Sequence, residues 1–394
     1  MIALAWRYLW SSPLTAALNL LLLSLGLAAV TFVLRASTQV ENGLRRDLAG
    51  IDLVVGAKGS PMQLMLAGVF HLDAPTGNIP LSTLDQLKAQ PLVAQVVPLS
   101  LGDTVRGHRI VGTTPDYLEL YGGQLAQGAL WTHSMQVVLG AEVARRTGFK
   151  LGDQVTGSHG LADGGSGHAA HPFEVVGVLA ESGSVLDRLV LADLASVWEV
   201  HADHQSGPPD DAAREITLAL VRYRSPLGAV MLPRWVNAQE GLQAAAPALE
   251  TARLMRLVGA GTEVLRGFGV VLLLAAGLSV WVAMLHAVRA RQSDLAMLRM
   301  LGAPPGRVAA LMVLEALLLA GLASVVGLAA GHALVALLSQ VLADLQSLRL
   351  GALGWSTAEW AVPLLAGATA LLAASWPAWR AYRLDVTTLL QAPR

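Results

Sequence analysis

The sequence predicts a membrane α-helical protein with four transmembrane helices. It also predicts a large extracytoplasmic mixed α/β domain inserted between the first and second spans. Three observations carry this. Charged residues make up 14% of the 394, where an ordinary soluble domain carries about a quarter. The charges are segregated: 41 of the 55 lie between Arg35 and Arg266, and the other 162 residues hold 14. Four stretches are long and apolar enough to cross a bilayer, which takes roughly 20 residues. This composition excludes a disordered chain, a collagen-like fibre and a cytosolic enzyme. A net charge of −1 gives no support to nucleic-acid binding. Zero cysteines exclude a disulfide scaffold, thiolate metal sites and a Cys nucleophile.

The first span falls between Arg7 and Arg35, 27 uncharged residues. It is too long for a signal-peptide core and no prompt cleavage signal follows it, so it reads as an uncleaved anchor. Residues 1–36 form the cytoplasmic N-terminus and this helix, 37–262 the outer domain with a stalk, and 263–394 the remaining three spans, at about 267–288, 308–341 and 360–379. Positive residues set the orientation. Arg7 precedes span one, Arg289, Arg291, Arg299 and Arg307 fill the 289–307 loop, and Arg380, Arg383 and Arg394 follow span four. Both termini and that loop are therefore expected in the cytoplasm and the large domain outside. Trp6, Trp10, Trp376 and Trp379 fall at the expected inner boundary and Trp355 and Trp360 at the outer one, as aromatic belts do.

In the outer domain Ile51–Ala57 reads as a strand. Ser60, Pro61 and Gln63 then make a helix start, with an N-cap, a proline at the first helical position and a capping-box glutamine. The helix Met62–Phe70 is very apolar and suits either core packing or a membrane- or cargo-facing surface. The glycine-rich turn before it has the spacing of neither a P-loop nor a dinucleotide fingerprint. Further strands are expected at Ala94–Leu99, Arg109–Thr114, Gln136–Gly140, Phe173–Leu179 and Ile216–Tyr223, and helices at Ala141–Thr147 and Ala192–Val200. The Gly/Ala/His-rich 158–172 reads as a hairpin loop. From Ala238 to Arg266 the pattern turns helical, a stalk interrupted at Pro247.

No motif for catalysis emerges. The chain contains no G-x-x-x-x-G-K-[ST], no G-x-S-x-G and no H-E-x-x-H. Two H-x-x-H pairs occur, His168/His171 and His201/His204. Each could contribute two ligands to zinc, but neither has a third ligand at a diagnostic spacing, and solvated loop histidines are the plainer reading. Glu315, His286 and His332 fall inside predicted spans, where ionisable groups are functional suspects. Glu315 and His286 lie near cytoplasmic ends, which suits an interfacial role; His332 lies deeper and suits a role in transport or in packing across a subunit interface. The later spans show no polar stripe that would line a hydrophilic pore.

The string RARQSDLAMLRMLGAPPGRVAALMVLEALLLAGLASVVGLAAG (289–331) resembles the FtsX-like permease domain of MacB- and LolC/LolE-type ABC transporters. The matching residues are Arg289, Arg291, Asp294, Leu298, Arg299, Leu301, Gly302, Ala303 and Glu315, followed by the spaced Gly321, Gly327 and Gly331. The family more often has Glu where this chain has Asp294. VVLGAEVARRTGFKLGDQVTG and FEVVGVLAESGSVLDRLVLADL resemble segments of the MacB-type periplasmic core domain. Segment 56–80 and the His-rich loop have no place in that resemblance. The resemblance implies an inner-membrane permease subunit that couples ATP hydrolysis on a separate ATPase to movement of the outer domain, for export or extraction of a lipoprotein, peptide or hydrophobic cargo. It implies no cofactor in this chain, with ATP and Mg on the partner ATPase. Partners would be that ATPase, a second permease copy, and a periplasmic or outer-membrane protein. Alternatives are an FtsX-like signal transmitter acting on an envelope partner and a metal-linked envelope transporter. Residues 289–307 are expected as a short helix and turn against the ATPase, because Leu295, Met297, Leu298, Met300 and Leu301 need burial. The competing expectation is an interfacial loop with its arginines among headgroups.

Overall fold

The computed structural model describes residues 1–48, 50–159, 172–202, 214–341 and 354–383. The chain divides into two compact units, Met1–Glu41 with Leu257–Arg394, and Asn42–Arg256. It begins with α1 (Ile2–Leu9) and α2 (Pro13–Leu48). The second unit then runs β1 (Leu53–Ala57), α3 (Pro61–Gly68), β2 (Ile79–Pro80), α4 (Thr83–Lys88), β3 (Val93–Val105), β4 (His108–Thr113), α5 (Asp116–Leu120), β5 (Leu125–Gly128), β6 (Gln136–Leu139), α6 (Ala141–Thr147), β7 (Gln154–Val155), β8 (Ser158–His159) and β9 (Phe173–Leu179). It continues with β10 (Val190–Asp193), α7 (Leu194–Ala202), β11 (Glu215–Ile216), β12 (Leu218–Tyr223), α8 (Gly228–Asn237) and β13 (Leu242–Ala245). The remaining helices are α9 (Pro247–Ala290), α10 (Gln292–Met300), α11 (Pro305–Val341) and α12 (Ala361–Tyr382).

In the outer unit eleven of the described strands form a sheet in the order β13-β1-β12-β3-β4-β10-β6-β9-β5, with β7 on β9 and β8 on β3, and β11 pairs separately with β2. One arm, β13-β1-β12-β3, is antiparallel throughout, in registers such as Leu53 opposite Val221 and Leu218 opposite Leu99. In the other arm β4–β10 and β6–β9 are parallel. The long strand β3 belongs to both arms, and its pairing with β4 shifts register between Leu101 and Thr104. Each arm has its own core. The first buries Leu53, Val55, Val93, Val221 and Leu232, the second Val137, Leu139, Phe173, Val175 and Val190. The valines and Phe173 among them are residues that fit a pleated, covered face.

In the other unit, among the described residues, α2, α9, α11 and α12 are the four helices long and apolar enough to cross a membrane. Their shared core is rich in small side chains: Ala276, Ala316, Ala320, Ala323, Ala366, Ala370 and Ala374 pack with Leu23, Leu27 and Val280. Their outward faces expose Leu14, Leu274, Val325, Leu364 and Leu372. Exposed leucine on every long helix is the surface a lipid environment requires. Trp6, Trp10, Trp355, Trp360, Trp376 and Trp379 are all exposed as well.

The expected fold class therefore holds, and several elements differ from the sequence reading. The first helix does not end near Arg35 but continues to Leu48. Residues 238–246 are not helical. Within them Leu242–Ala245 form β13, which pairs with β1 through Val54 opposite Ala245, and the long helix starts at Pro247. A proline at the first helical position removes no helical hydrogen bond, whereas an interior one does, so Pro247 opens the stalk rather than interrupting it. The segment read as one helix over Ala192–Val200 begins as strand β10; Asp193 Oδ2 then accepts from the Ala195 amide at 3.1 Å as α7 starts. The strand expected over Ile216–Tyr223 is divided at Thr217, whose Oγ1 accepts from the Leu101 amide at 2.9 Å.

Candidate functional site: the segment between the second and third spans

Fourteen residues separate α9 from α11. The chain turns at Arg291, where α10 begins, and Asp294 sits in its first turn, complementing the helix dipole. Leu295 and Leu298, three apart, share one face. Leu295 is fully buried among Val288, Val308, Met312, Ala378 and Ala381, and Leu298 packs on the edge of that cluster. Met297, Met300 and Leu301 are exposed at 52%, 54% and 85%. The helix ends in a Schellman arrangement: the Gly302 amide donates to the Arg299 carbonyl and the Ala303 amide to the Leu298 carbonyl, at 3.1 and 3.0 Å. Gly302 has φ +93°, which suits glycine at this position. Arg289 is exposed at the end of α9, and Arg299 lies in the last turn of α10.

Arg291 fastens this segment to the rest of the unit. Its guanidinium donates to the Tyr8 carbonyl at 2.7 Å, to Ser11 Oγ at 2.6 Å and to Glu315 Oε2 at 3.2 Å. It also lies 4.7 Å from the centre of the Tyr8 ring. Glu315 is buried on α11. The interfacial carboxylate of the sequence reading thus has a defined partner, and the pair joins α1, the start of α10 and α11.

A second charge cluster lies at the opposite end of the bundle. Arg35 NH1 donates to Glu359 Oε1 at 2.6 Å and to the Gly354 carbonyl at 2.6 Å. His332 Nε2 lies 3.1 Å from Glu359 Oε2 and 3.2 Å from Arg35 NH1. Arg35 is 4% exposed and Glu359 fully buried. Glu359 also completes a capping box with Ser356. Sequence reasoning used Arg35 and Glu359 only to delimit spans; the isolated charge at each span end, with His332 one span away, was the available signal. Gly327 and Gly331 let α11 approach α2. A Cβ on Gly331 would lie 2.5 Å from Thr31 Cβ, and one on Gly327 2.6 Å from Leu27 Cβ. A Cβ on Gly321 would meet nothing within 4 Å among the described residues.

In the outer unit, segment 56–80 delivers His71 to a buried polar cluster. His71 Nε2 lies 3.0 Å from the Tyr117 hydroxyl, and the Tyr121 hydroxyl donates to the Asp47 carbonyl at 3.0 Å. Burial, then Arg109 and Arg188, hold the His71 imidazole well below its usual range. Burial pushes both tyrosines up. His168, His171 and His204 lie outside the described residues, and only the backbone of His201, in α7, lies within them. Among the described residues no group of three metal-ligating side chains converges.

Residues 16–227 match the family model of the MacB-like periplasmic core domain, and residues 266–386 that of the FtsX-like permease C-terminal. The chain belongs to the FtsX/MacB-type ABC transporter permeases. Two curated relatives share this membership. The pyoverdine export ATP-binding/permease protein PvdT of Pseudomonas aeruginosa is 26% identical over 187 residues, and the macrolide export ATP-binding/permease protein MacB of Nitrosomonas europaea 28% over 194. Each match covers 46% of this chain and 27% of the relative, so the chain spans about a quarter of the length of the curated relatives it matches. The crystal structure of the periplasmic region of MacB from Actinobacillus actinomycetemcomitans overlaps 52% of this chain and 95% of that one, at TM-score 0.35 and 16% identity. Within the FtsX/MacB-type architecture the segment just described is the link between the first two helices of the FtsX-like part.

Proposed function

We propose that this chain is the permease subunit of an ABC transporter of the mechanotransmission type, and that α10 is where a separate cytoplasmic ATPase grips it. The observation that carries the reading is the two-faced character of α10. Leu295 and Leu298 anchor it to the ends of its own spans, while Met297, Met300 and Leu301 present an apolar surface that nothing in the described chain covers. Such a surface on a membrane-adjacent helix suits a protein partner. The arginine distribution supports a cytoplasmic position for α10 and for both termini, with the large domain periplasmic. ATP and Mg would act on the ATPase. A second permease copy and an envelope partner complete the proposed assembly. The cargo class is amphipathic or hydrophobic, a lipoprotein, peptide or small exported compound; the two relatives, named as pyoverdine and macrolide exporters, support export as the direction.

Met297→Asp with Leu301→Asp alters only exposed positions, so the permease should insert normally while copurification of the ATPase is lost. Leu298→Asp, which strikes the chain's own packing, should instead reduce the amount of folded permease. A cysteine at Ser293 should label from inside and one at Lys150 from outside. If the ATPase still copurifies with the double variant and its hydrolysis still responds to the permease, α10 is not the grip.

A further inference from the structure

Helices α2 and α9 make close contact over part of their length. A Cβ on Gly26 would lie 3.3 Å from Leu273 Cδ2, and one on Gly269 3.2 Å from Val30 Cγ2. Next to this contact, the Ser279 hydroxyl donates to Asn19 Oδ1 at 2.6 Å. From Ser279 to α10 the two helices are separated by an open cleft of about 850 Å³, within the range of small-molecule pockets, about 300–1,000 Å³. The twelve residues from Ser279 to Arg291 rise about 18 Å at 1.5 Å each, close to one leaflet of a hydrocarbon core about 30 Å thick. The cleft is chemically graded along that length. Leu278, Val282 and Ala283 line its deeper wall, and Ser12, His286, Arg291 and Asp294 the part toward its mouth. Leu278 and Val282 are 60% and 40% exposed, so the apolar wall opens sideways. Sequence reasoning found no polar stripe because the hydroxyls at the mouth come from residues ahead of or early in α2, not from the later spans.

We infer that this cleft holds one phospholipid with an amine-bearing, zwitterionic headgroup. An acyl chain would lie along Leu278, Val282 and Ala283, and the head would reach the mouth. The charges there choose the headgroup. Arg291 is already paired with Glu315, so it adds no net positive charge. Asp294 is exposed at the mouth, and its carboxylate complements a primary ammonium. The Ser12 hydroxyl can donate to the lipid phosphate. An anionic lipid would bring a second negative charge to Asp294 and is disfavoured. The inference rests on α2 and α9 spanning the membrane, but not on which leaflet α10 faces; labelling at Ser293 reports that separately.

The full-length protein, purified in mild detergent, should retain about one phosphatidylethanolamine per chain on lipid extraction and native mass spectrometry. Added phosphatidylethanolamine should raise its unfolding temperature more than phosphatidylglycerol does. Ala283→Trp should fill the cleft and abolish retention. Asp294→Asn, at an exposed position, should leave the fold intact and erase the headgroup preference. Retention unchanged by Ala283→Trp, or a preference for phosphatidylglycerol, would overturn the inference. So would an intermolecular disulfide through Val282→Cys in native membranes, which would show a second copy seated in the cleft.

Discussion

Arg35 and Glu359 form a buried ion pair at 2.6 Å, with the carboxylate fully inaccessible and the arginine 4% exposed. Removing one member of such a pair leaves its partner as an uncompensated buried charge, at a cost of about 3–5 kcal/mol. Arg35→Leu and Glu359→Leu should therefore each destabilise the full-length protein by about that much. The double variant removes both charges together. Replacing a buried pair by apolar side chains is often neutral or stabilising, so the double variant should cost far less than either single one. His332→Ala should cost less again, because Glu359 keeps Arg35 and the Ser356 amide, at 3.3 Å, as partners. The assay is a double-mutant cycle of unfolding free energies from SDS titration in mixed micelles. Additive single costs, or a single cost below about 1 kcal/mol, would refute a desolvated pair.

Two further outcomes follow from close packing and from burial. Gly331→Ala should destabilise by about 1–3 kcal/mol, because its Cβ meets Thr31, whereas Gly321→Ala, in open space, should be neutral or stabilising by up to about 1 kcal/mol; equal effects in the same titration would show that the α2–α11 contact is not tight. His71 stays neutral in the fold while the unfolded chain titrates near 6.5. As pH falls below that value the unfolded state takes up a proton the folded state refuses, so stability drops with a slope that approaches about 1.4 kcal/mol per pH unit, or about 1 kcal/mol between pH 6.5 and 5.5. His71→Asn tolerates the positive φ of 54° and should remove this share of the slope between pH 6.5 and 5.5, leaving that of His108, also lowered by burial. An unchanged slope in thermal unfolding across that range would assign the acid sensitivity elsewhere.

The four spans and the mixed outer domain were legible in the sequence because each depends on composition summed over a window of neighbours. A run of some twenty apolar residues partitions into lipid whatever it later packs against. The end of α10 was legible too: Gly302 and the prolines after it act through their own backbone torsions. Ser60–Pro61 as the start of α3 is local in the same way, and the Ser60 side chain accepts from the Gln63 amide. What the tertiary structure decided has a different physical origin. Residues 242–245 carry helix-favouring Leu, Gln and Ala, yet pair with β1, because cross-strand hydrogen bonds and burial outweigh propensities of a few tenths of a kcal/mol per residue. The rotational setting of α10, which turns Leu298 inward and Met297, Met300 and Leu301 outward, follows from where Val308 and Ala378 stand. Arg35 reaches His332 and Glu359 across 297 and 324 residues of chain. No local pattern encodes such a meeting. It arises because burying a charge near the end of a membrane helix is tolerable only beside an opposite charge, and only the packed bundle brings those three residues together.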